Sequence, residues 1–238
     1  YCWRTKKKTG VLGAENTCLI TDDRVTLATL LRDNGYNTAM VGKWHLCPDS
    51  QLTEAGPRNG WPCQKGFDRF YGILDGFTNF HQPHRLYEDN RALDIDDYPE
   101  GYYFTDDLTD RALDMVRQLR DGHPSRPWFL YFSHGAVHAP LQARADDIEK
   151  YRGTYMGGWD ALRTSRHEQQ KGLGILDSKW AISPRERGIP AWEDADSQEW
   201  RDVQMATYAA QIEQLDRGVG KVLNTLKEHD AEDDTIIM

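Results

Sequence analysis

Apolar positions along the chain change period several times, and each change marks an element. After Asp22 and Asp23, residues Val25, Leu27, Leu30 and Leu31 recur at helical spacing as far as Gly35. Acidic residues ahead of the stripe and a glycine behind it fit a helix start and stop. Asn37–His45 then predicts a strand. Residues 47–104 are dense in Gly, Pro, Asn, Asp and aromatics and read as long loops with short pieces of structure. Thr105 is placed to cap a helix with Asp106 and Asp107 in its first turn, the stripe Leu108, Ala112, Val116 and Leu119, and a stop at Gly122. The run Trp128–Phe132 has the length and uniform apolarity of a strand buried on both faces. Met205, Tyr208, Ile212, Leu215, Val219, Val222 and Leu226 alternate steps of three and four, which predicts a long amphipathic helix. Gly218 and Gly220 inside it cost about 1 kcal/mol each in propensity and suit close packing on a sheet. A turn at Glu232–Asp234 leads into Thr235–Met238, read as the beginning of a buried strand. Helix and strand alternating three times over predict an α/β fold, a central largely parallel sheet flanked by helices.

Composition narrows the function classes. Among 238 residues, 29 Lys+Arg face 38 Asp+Glu, a net charge of −9. With no Lys/Arg stripe, that balance argues against nucleic acid as a partner. The longest apolar stretch is far short of the roughly 18 residues a membrane span needs. Cys2, Cys18, Cys47 and Cys63 all lie in the first 63 residues and contain no CxxC pair, so neither a disulfide framework nor a zinc site is indicated. The opening on Tyr1 and the closing apolar run lead to the expectation of a longer protein.

Two segments carry candidate chemistry. In Gly42-Lys43-Trp44-His45, alternation along an extended strand sends Lys43 and His45 to one face and Trp44 to the other. An ammonium and an imidazole converging at a strand end suit an oxyanion such as sulfate or phosphate; a surface lysine beside a half-buried histidine is the plainer reading. His134 and His138 follow the Trp128–Phe132 strand, at the carboxyl end where open α/β sheets bind ligands. Their spacing resembles a metal pair, but Gly135 and Pro140 argue for a loop rather than the helix that would align two rings. General acid, or second donor to an anion, suits His138 better; a loop histidine with no role is the alternative. The acidic pairs Asp22-Asp23, Asp96-Asp97, Asp106-Asp107, Asp146-Asp147 and Asp233-Asp234 are explained by helix capping in three cases and turns in two. No phosphate-binding glycine loop, G-x-S-x-G elbow or H-E-x-x-H helix is present.

Gly35-Tyr-Asn-Thr-Ala-Met-Val-Gly-Lys-Trp-His-Leu46 resembles the second signature of the type I sulfatases, the arylsulfatase family of the alkaline-phosphatase-like superfamily. Gly66-Phe-Asp-Arg-Phe-Tyr-Gly72, Trp128–Pro140, Gly158-Trp159-Asp160, Ile189-Pro-Ala-Trp192 and the Tyr208–Leu226 helix continue the likeness, over about residues 24–238. The resemblance implies that Lys43 contacts a sulfate group. It implies that His45 supports the nucleophile and the sulfate pocket, and that His138 binds sulfate or assists the leaving group. It further implies hydrolysis of a small-molecule sulfate ester by a formylglycine made from Cys or Ser and hydrated to attack sulfur, with Ca2+ held by Asp/Asn oxygens from both ends of the domain. A formylglycine-generating or equivalent maturation enzyme is the implied partner.

The departures matter as well. The family's Cys/Ser-x-Pro-x-Arg motif is absent: Cys2-Trp-Arg-Thr-Lys6 and Cys18-Leu-Ile-Thr-Asp22 both lack its Pro and Arg. The metal-binding acidic pair precedes the nucleophile in the family, so Asp22-Asp23 is not that pair and no metal ligand is assigned in this chain. Cys47 stands where the family usually has Gly, and Val137 where many members have Pro. Residues 1–20 are left unassigned and 21–238 are expected to form the central part of a sulfatase catalytic domain. Two rivals share the anion pocket: a phosphonate or phosphodiester hydrolase of the same superfamily, and a non-catalytic anion-binding homologue.

Overall fold

Alternation along one strand organises the core. In the computed structural model, which describes residues 19–238 apart from 54, 123 and 124, strand β1 (Asn37–Lys43) is buried along nearly its whole length. Ala39 and Val41 join one apolar cluster with Tyr71, Ile73, Leu108, Ala112 and Met115, while Met40 joins another with Phe70, Trp44, Trp61 and Phe67. Successive side chains thus feed opposite faces of the sheet, as the pleat demands.

The sheet order is β4-β3-β2-β1-β5, with β2 Arg69–Ile73, β3 Tyr87–Glu88, β4 Arg91–Ala92 and β5 Trp128–Ser133. β1 runs parallel to β2 and β5; β3 and β4 add a short antiparallel edge. Helices α1 (Leu27–Asp33) and α2 (Phe104–Gly122) pack against β1. The predicted α/β architecture with a largely parallel sheet is the one observed. At the carboxyl end of the sheet, Gly42 stands in register with Gly72 on one side and Ser133 on the other. A Cβ on Gly42 would lie 1.7 Å from the Ser133 carbonyl oxygen, and its φ of +116° disfavours any other residue.

Several expectations need correction. α1 is capped by Thr26, whose hydroxyl accepts from the Thr29 amide, and its first turn holds no acid. Asp22 instead pairs with the buried Lys65 at 2.7 Å. Val25, Leu27 and Leu30 are exposed, and Ala28 is the residue that α1 buries. α2 begins one residue before Thr105, which lies inside the helix. Asp107 does more than face the helix start: its Oδ2 accepts from the Tyr71 and Tyr102 hydroxyls at 2.6 and 2.7 Å. β5 is an edge strand among the described residues and only half-buried, with Tyr131 exposed. β2, β3 and β4 are among the short pieces of structure in the loop-rich stretch 47–104. Thr235–Met238 forms no strand, and Ile236 is largely exposed.

The described residues divide into two compact units, 19–142 with Glu213–Met238, and Ala143–Ile212. The second contains α3 (Ala145–Glu149), α4 (Gly158–Gly172) and the first half of α5 (Gln198–Glu228). Buried positions on α5 are Asp202, Ala206, Thr207, Ala210, Gln211, Gln214, Gly218, Thr225 and Leu226, so small and polar side chains lie where the apolar stripe was expected; Met205 and Ile212 are exposed. Of its two glycines, Gly218 does mark a close approach, since a Cβ there would sit 2.5 Å from Thr109 Oγ1 of α2, while Gly220 has open space.

In the second unit the motifs Gly158-Trp159-Asp160 and Ile189–Trp192 pack on each other. The Trp192 ring covers Gly158, where a Cβ would fall 2.1 Å from Cγ. The two indoles meet edge to face at 4.9 Å, and Asp160 accepts from the Trp192 amide at 3.1 Å. These motifs hold structure together rather than carry chemistry.

Candidate active site

Lys43 closes β1, half-buried, with the same side-chain parity as Val41. Burial lowers its pKa from the ordinary lysine value, which makes its ammonium a readier proton donor than a surface lysine. Pairing with β2 continues past the strand: the Trp44 amide donates to the Ile73 carbonyl at 2.9 Å and the His45 amide to Leu74 at 3.1 Å. His45 itself has φ 53°, in the left-handed region. The left-handed turn therefore sets its direction, and simple alternation from Lys43 stops at Trp44. Such a backbone costs a non-glycine residue roughly 1 kcal/mol or more and concentrates at functional sites.

Of the three expected residues, His45 lies within electrostatic reach of both Lys43 and His138. The His45 pKa is lowered first by burial, then by the positive fields of Lys43 and His138, while Asp75 and Asp49 act the other way. A histidine held below its ordinary 6.5 is neutral at pH 7. His138 sits in the loop after β5, and its Nδ1 lies 2.6 Å from the Ala139 carbonyl oxygen. A carbonyl only accepts, so Nδ1 carries the hydrogen. Neutral His138 then presents a bare lone pair at Nε2, and it becomes a two-sided donor only as imidazolium.

One wall of this corner went unseen in the sequence: the loop Asp75-Gly76-Phe77 after β2. A Cβ on Gly76 would come within 2.6 Å of His45 Nε2 and 2.7 Å of Cε1, so the imidazole lies directly on the glycine. Phe77 stands parallel to the His138 ring, 7° between planes and 6.2 Å between centroids. Asp75, largely buried, bonds Arg85 Nη2 at 3.3 Å, and its Oδ2 stands 3.5 Å from His84 Nε2, an ionic approach rather than a hydrogen bond. Arg85 is further tied to the Leu52 carbonyl, and His84 Nδ1 meets the Thr78 hydroxyl. Only the folded loop makes these neighbours of Lys43 and His45; glycine at 76 was the one local hint.

His134 belongs elsewhere. It is mostly buried against Phe132, neither ring nitrogen has a hydrogen-bond partner among the described residues, and burial pushes its pKa down to about 4. It forms no metal pair with His138: no group of three His, Cys, Asp or Glu among the described residues could hold a metal ion. Nor is there an activated thiol. Cys47 is buried, with its Sγ 3.1 Å from the Gly60 carbonyl oxygen, and burial pushes the Cys63 thiol up to about 12. Cys2 and Cys18 lie outside the described residues. What the described residues offer here is a partly buried ammonium beside a neutral imidazole, chemistry that suits a tetrahedral anion. No helix among them is long and apolar enough to cross a membrane.

Known proteins share this arrangement of elements. The chain is 31% identical over 239 residues to an uncharacterised sulfatase of Schizosaccharomyces pombe, covering 91% of this chain and 40% of that protein. It is 27% identical over 241 residues to an arylsulfatase of Klebsiella aerogenes, covering 95% and 49%. It therefore spans about half or less of the length of these relatives. A solved Bacteroides thetaiotaomicron structure, from work on glycosaminoglycan metabolism, superposes with a TM-score of 0.61 at 16% identity, over 90% of this chain and 40% of that one; this likeness speaks for the fold alone. A family model, Sulfatase, matches residues 7–238, and the chain belongs to the sulfatase family.

Proposed function

We propose that this chain supplies the anion-binding part of a catalytic domain that hydrolyses sulfate monoesters. What supports the reading is the closeness of His45, just past the carboxyl end of β1, to both Lys43 and His138, in a chain of this family. Lys43 holds the sulfate oxygens by a partly desolvated ammonium, an interaction worth more there than in water. His45, neutral and braced on Gly76, offers a nitrogen to the nucleophile. His138, its Nδ1–H committed to a carbonyl, delivers a proton from Nε2 to the departing oxygen when it is imidazolium.

The formylglycine, the Ca2+ and the maturation enzyme remain part of this proposal on family resemblance alone, with the nucleophile and metal ligands supplied from outside the described residues. The test is turnover by the full-length protein of an aryl sulfate and an aryl phosphonate side by side, each with wild type and Lys43→Ala. Sulfate turnover that collapses in the variant supports the reading. Preferred turnover of the phosphonate assigns the superfamily's other chemistry, and turnover of neither leaves an anion-binding homologue.

A further inference from the structure

The loop after β2 offers the site something that Lys43, His45 and His138 do not. Phe77 keeps 61% of its surface exposed, although apolar clusters lie on both faces of the adjoining sheet. Its ring is oriented all the same, lying parallel to His138 in the offset arrangement that aromatic pairs favour. Its neighbour Gly76 carries the His45 imidazole. An apolar ring is thus held open beside the histidine assigned to the leaving group, within the loop that walls the anion corner.

Building on the sulfatase reading above, we propose that Phe77 is a specificity-determining residue. Its exposed ring stacks on the leaving group of the ester, selecting sulfates carried on a ring with an apolar face over sulfates on a short open chain. The bridging oxygen that receives the proton from His138 is bonded to the first atom of that group, so a ring there falls beside His138 and within reach of Phe77. Both an aryl group and a pyranose present such a face.

Non-hydrolysable sulfonates test this without depending on turnover. Benzenesulfonate, a glucopyranose 6-sulfonate and methanesulfonate are titrated calorimetrically into the full-length protein, its Phe77→Ala variant and its Phe77→Tyr variant. In the wild type, one of the ring sulfonates is expected to bind about fivefold to tenfold more tightly than methanesulfonate. That advantage shrinks to within twofold in Phe77→Ala and persists in Phe77→Tyr, with methanesulfonate affinity the same in all three. Which ring binds better identifies the leaving-group class. Equal weakening of all three ligands in Phe77→Ala overturns the proposal, because Phe77 then only props His138. Tight methanesulfonate binding with no ring advantage overturns it while sparing the anion pocket. Failure of every sulfonate to bind the wild type overturns the pocket reading together with this one.

Discussion

Adding a single methyl group at Gly76 is the sharpest test of whether the position of His45 matters. The new Cβ would meet His45 Nε2 at 2.6 Å, Cε1 at 2.7 Å and Cδ2 at 3.0 Å. Ordinary heavy-atom contact is about 3.5 Å, so the ring must retreat by roughly 1 Å. The Gly76 backbone lies outside the positive-φ region, so alanine adds no backbone strain and gains a few tenths of a kcal/mol from a less flexible unfolded chain. The obstructing atoms are the tip of an exposed side chain, which can move without disturbing the core. Gly76→Ala should therefore melt within a few degrees of wild type. A displacement near 1 Å at a reacting group costs on the order of 10²-fold in rate, and sulfate-ester turnover by the full-length protein should fall by about that factor. The decisive arm is the double variant. If Gly76→Ala acts only through the imidazole, it adds nothing in a His45→Ala background. Wild-type turnover in the single variant, or a further loss on top of His45→Ala, refutes the reasoning.

Other perturbations separate binding from scaffold. Lys43→Ala should lower sulfate-ester turnover by about 10²–10³-fold, the usual loss when one donor to developing negative charge is removed, while circular dichroism stays unchanged. Asp107→Ala strips the acceptor from the Tyr71 and Tyr102 hydroxyls and the charge facing Arg111; chemical denaturation should show a loss of about 3 kcal/mol. His134 has a folded pKa of about 4 against 6.5 when unfolded. Below pH 6.5 the unfolded chain binds a proton that the folded one refuses, so stability falls as pH drops from 6.5 towards 4, by about 3 kcal/mol in total. His134→Leu should flatten that part of the pH–stability curve, and an unchanged curve would show that His134 does not titrate as its burial dictates.

Legibility in the sequence followed the range of the forces involved. β1 announced itself because six of its seven residues are buried around the apolar run Ala39–Val41; the twelve residues from Gly35 to Leu46 carried the strand and two of the three expected site residues. β2 stayed hidden because Arg69–Ile73 is short, contains Gly72 and sits among turn residues, and its strand character comes from register with β1, Gly72 against Gly42. A pairing thirty residues apart leaves no local period to read. α4 was missed for the opposite reason: Gly158–Gly172 is polar almost all round, with Gly158 its one fully buried position, so no stripe exists to find. On α5 a regular apolar stripe was visible, yet Ala206, Ala210 and Gln211 went inside, because close approach selects for small or hydrogen-bonding side chains that hydrophobic spacing ignores.

The same distinction governs the site. Lys43 and His138 could be placed from sequence because each sits at or just after a strand of the parallel sheet, and strand ends converge wherever the strands are parallel neighbours. His45 was expected for a reason that only half applies, since its left-handed backbone, not the pleat, gives it its direction. The loop Asp75–Phe77 could not be placed at all. Its closeness to His45 depends on the backbone ladder running on beyond β1, through the amides of Trp44 and His45 to the carbonyls of Ile73 and Leu74. Two strands held in that register bring their following loops together, so the residues that touch the imidazole follow the end of β2 rather than any neighbour of His45 in sequence. The absence of a Cβ at Gly76 is then what lets the tip of the ring come up against the loop. Any substitution that shifts the β1–β2 register by one residue would separate them, and the site would be lost before the fold was.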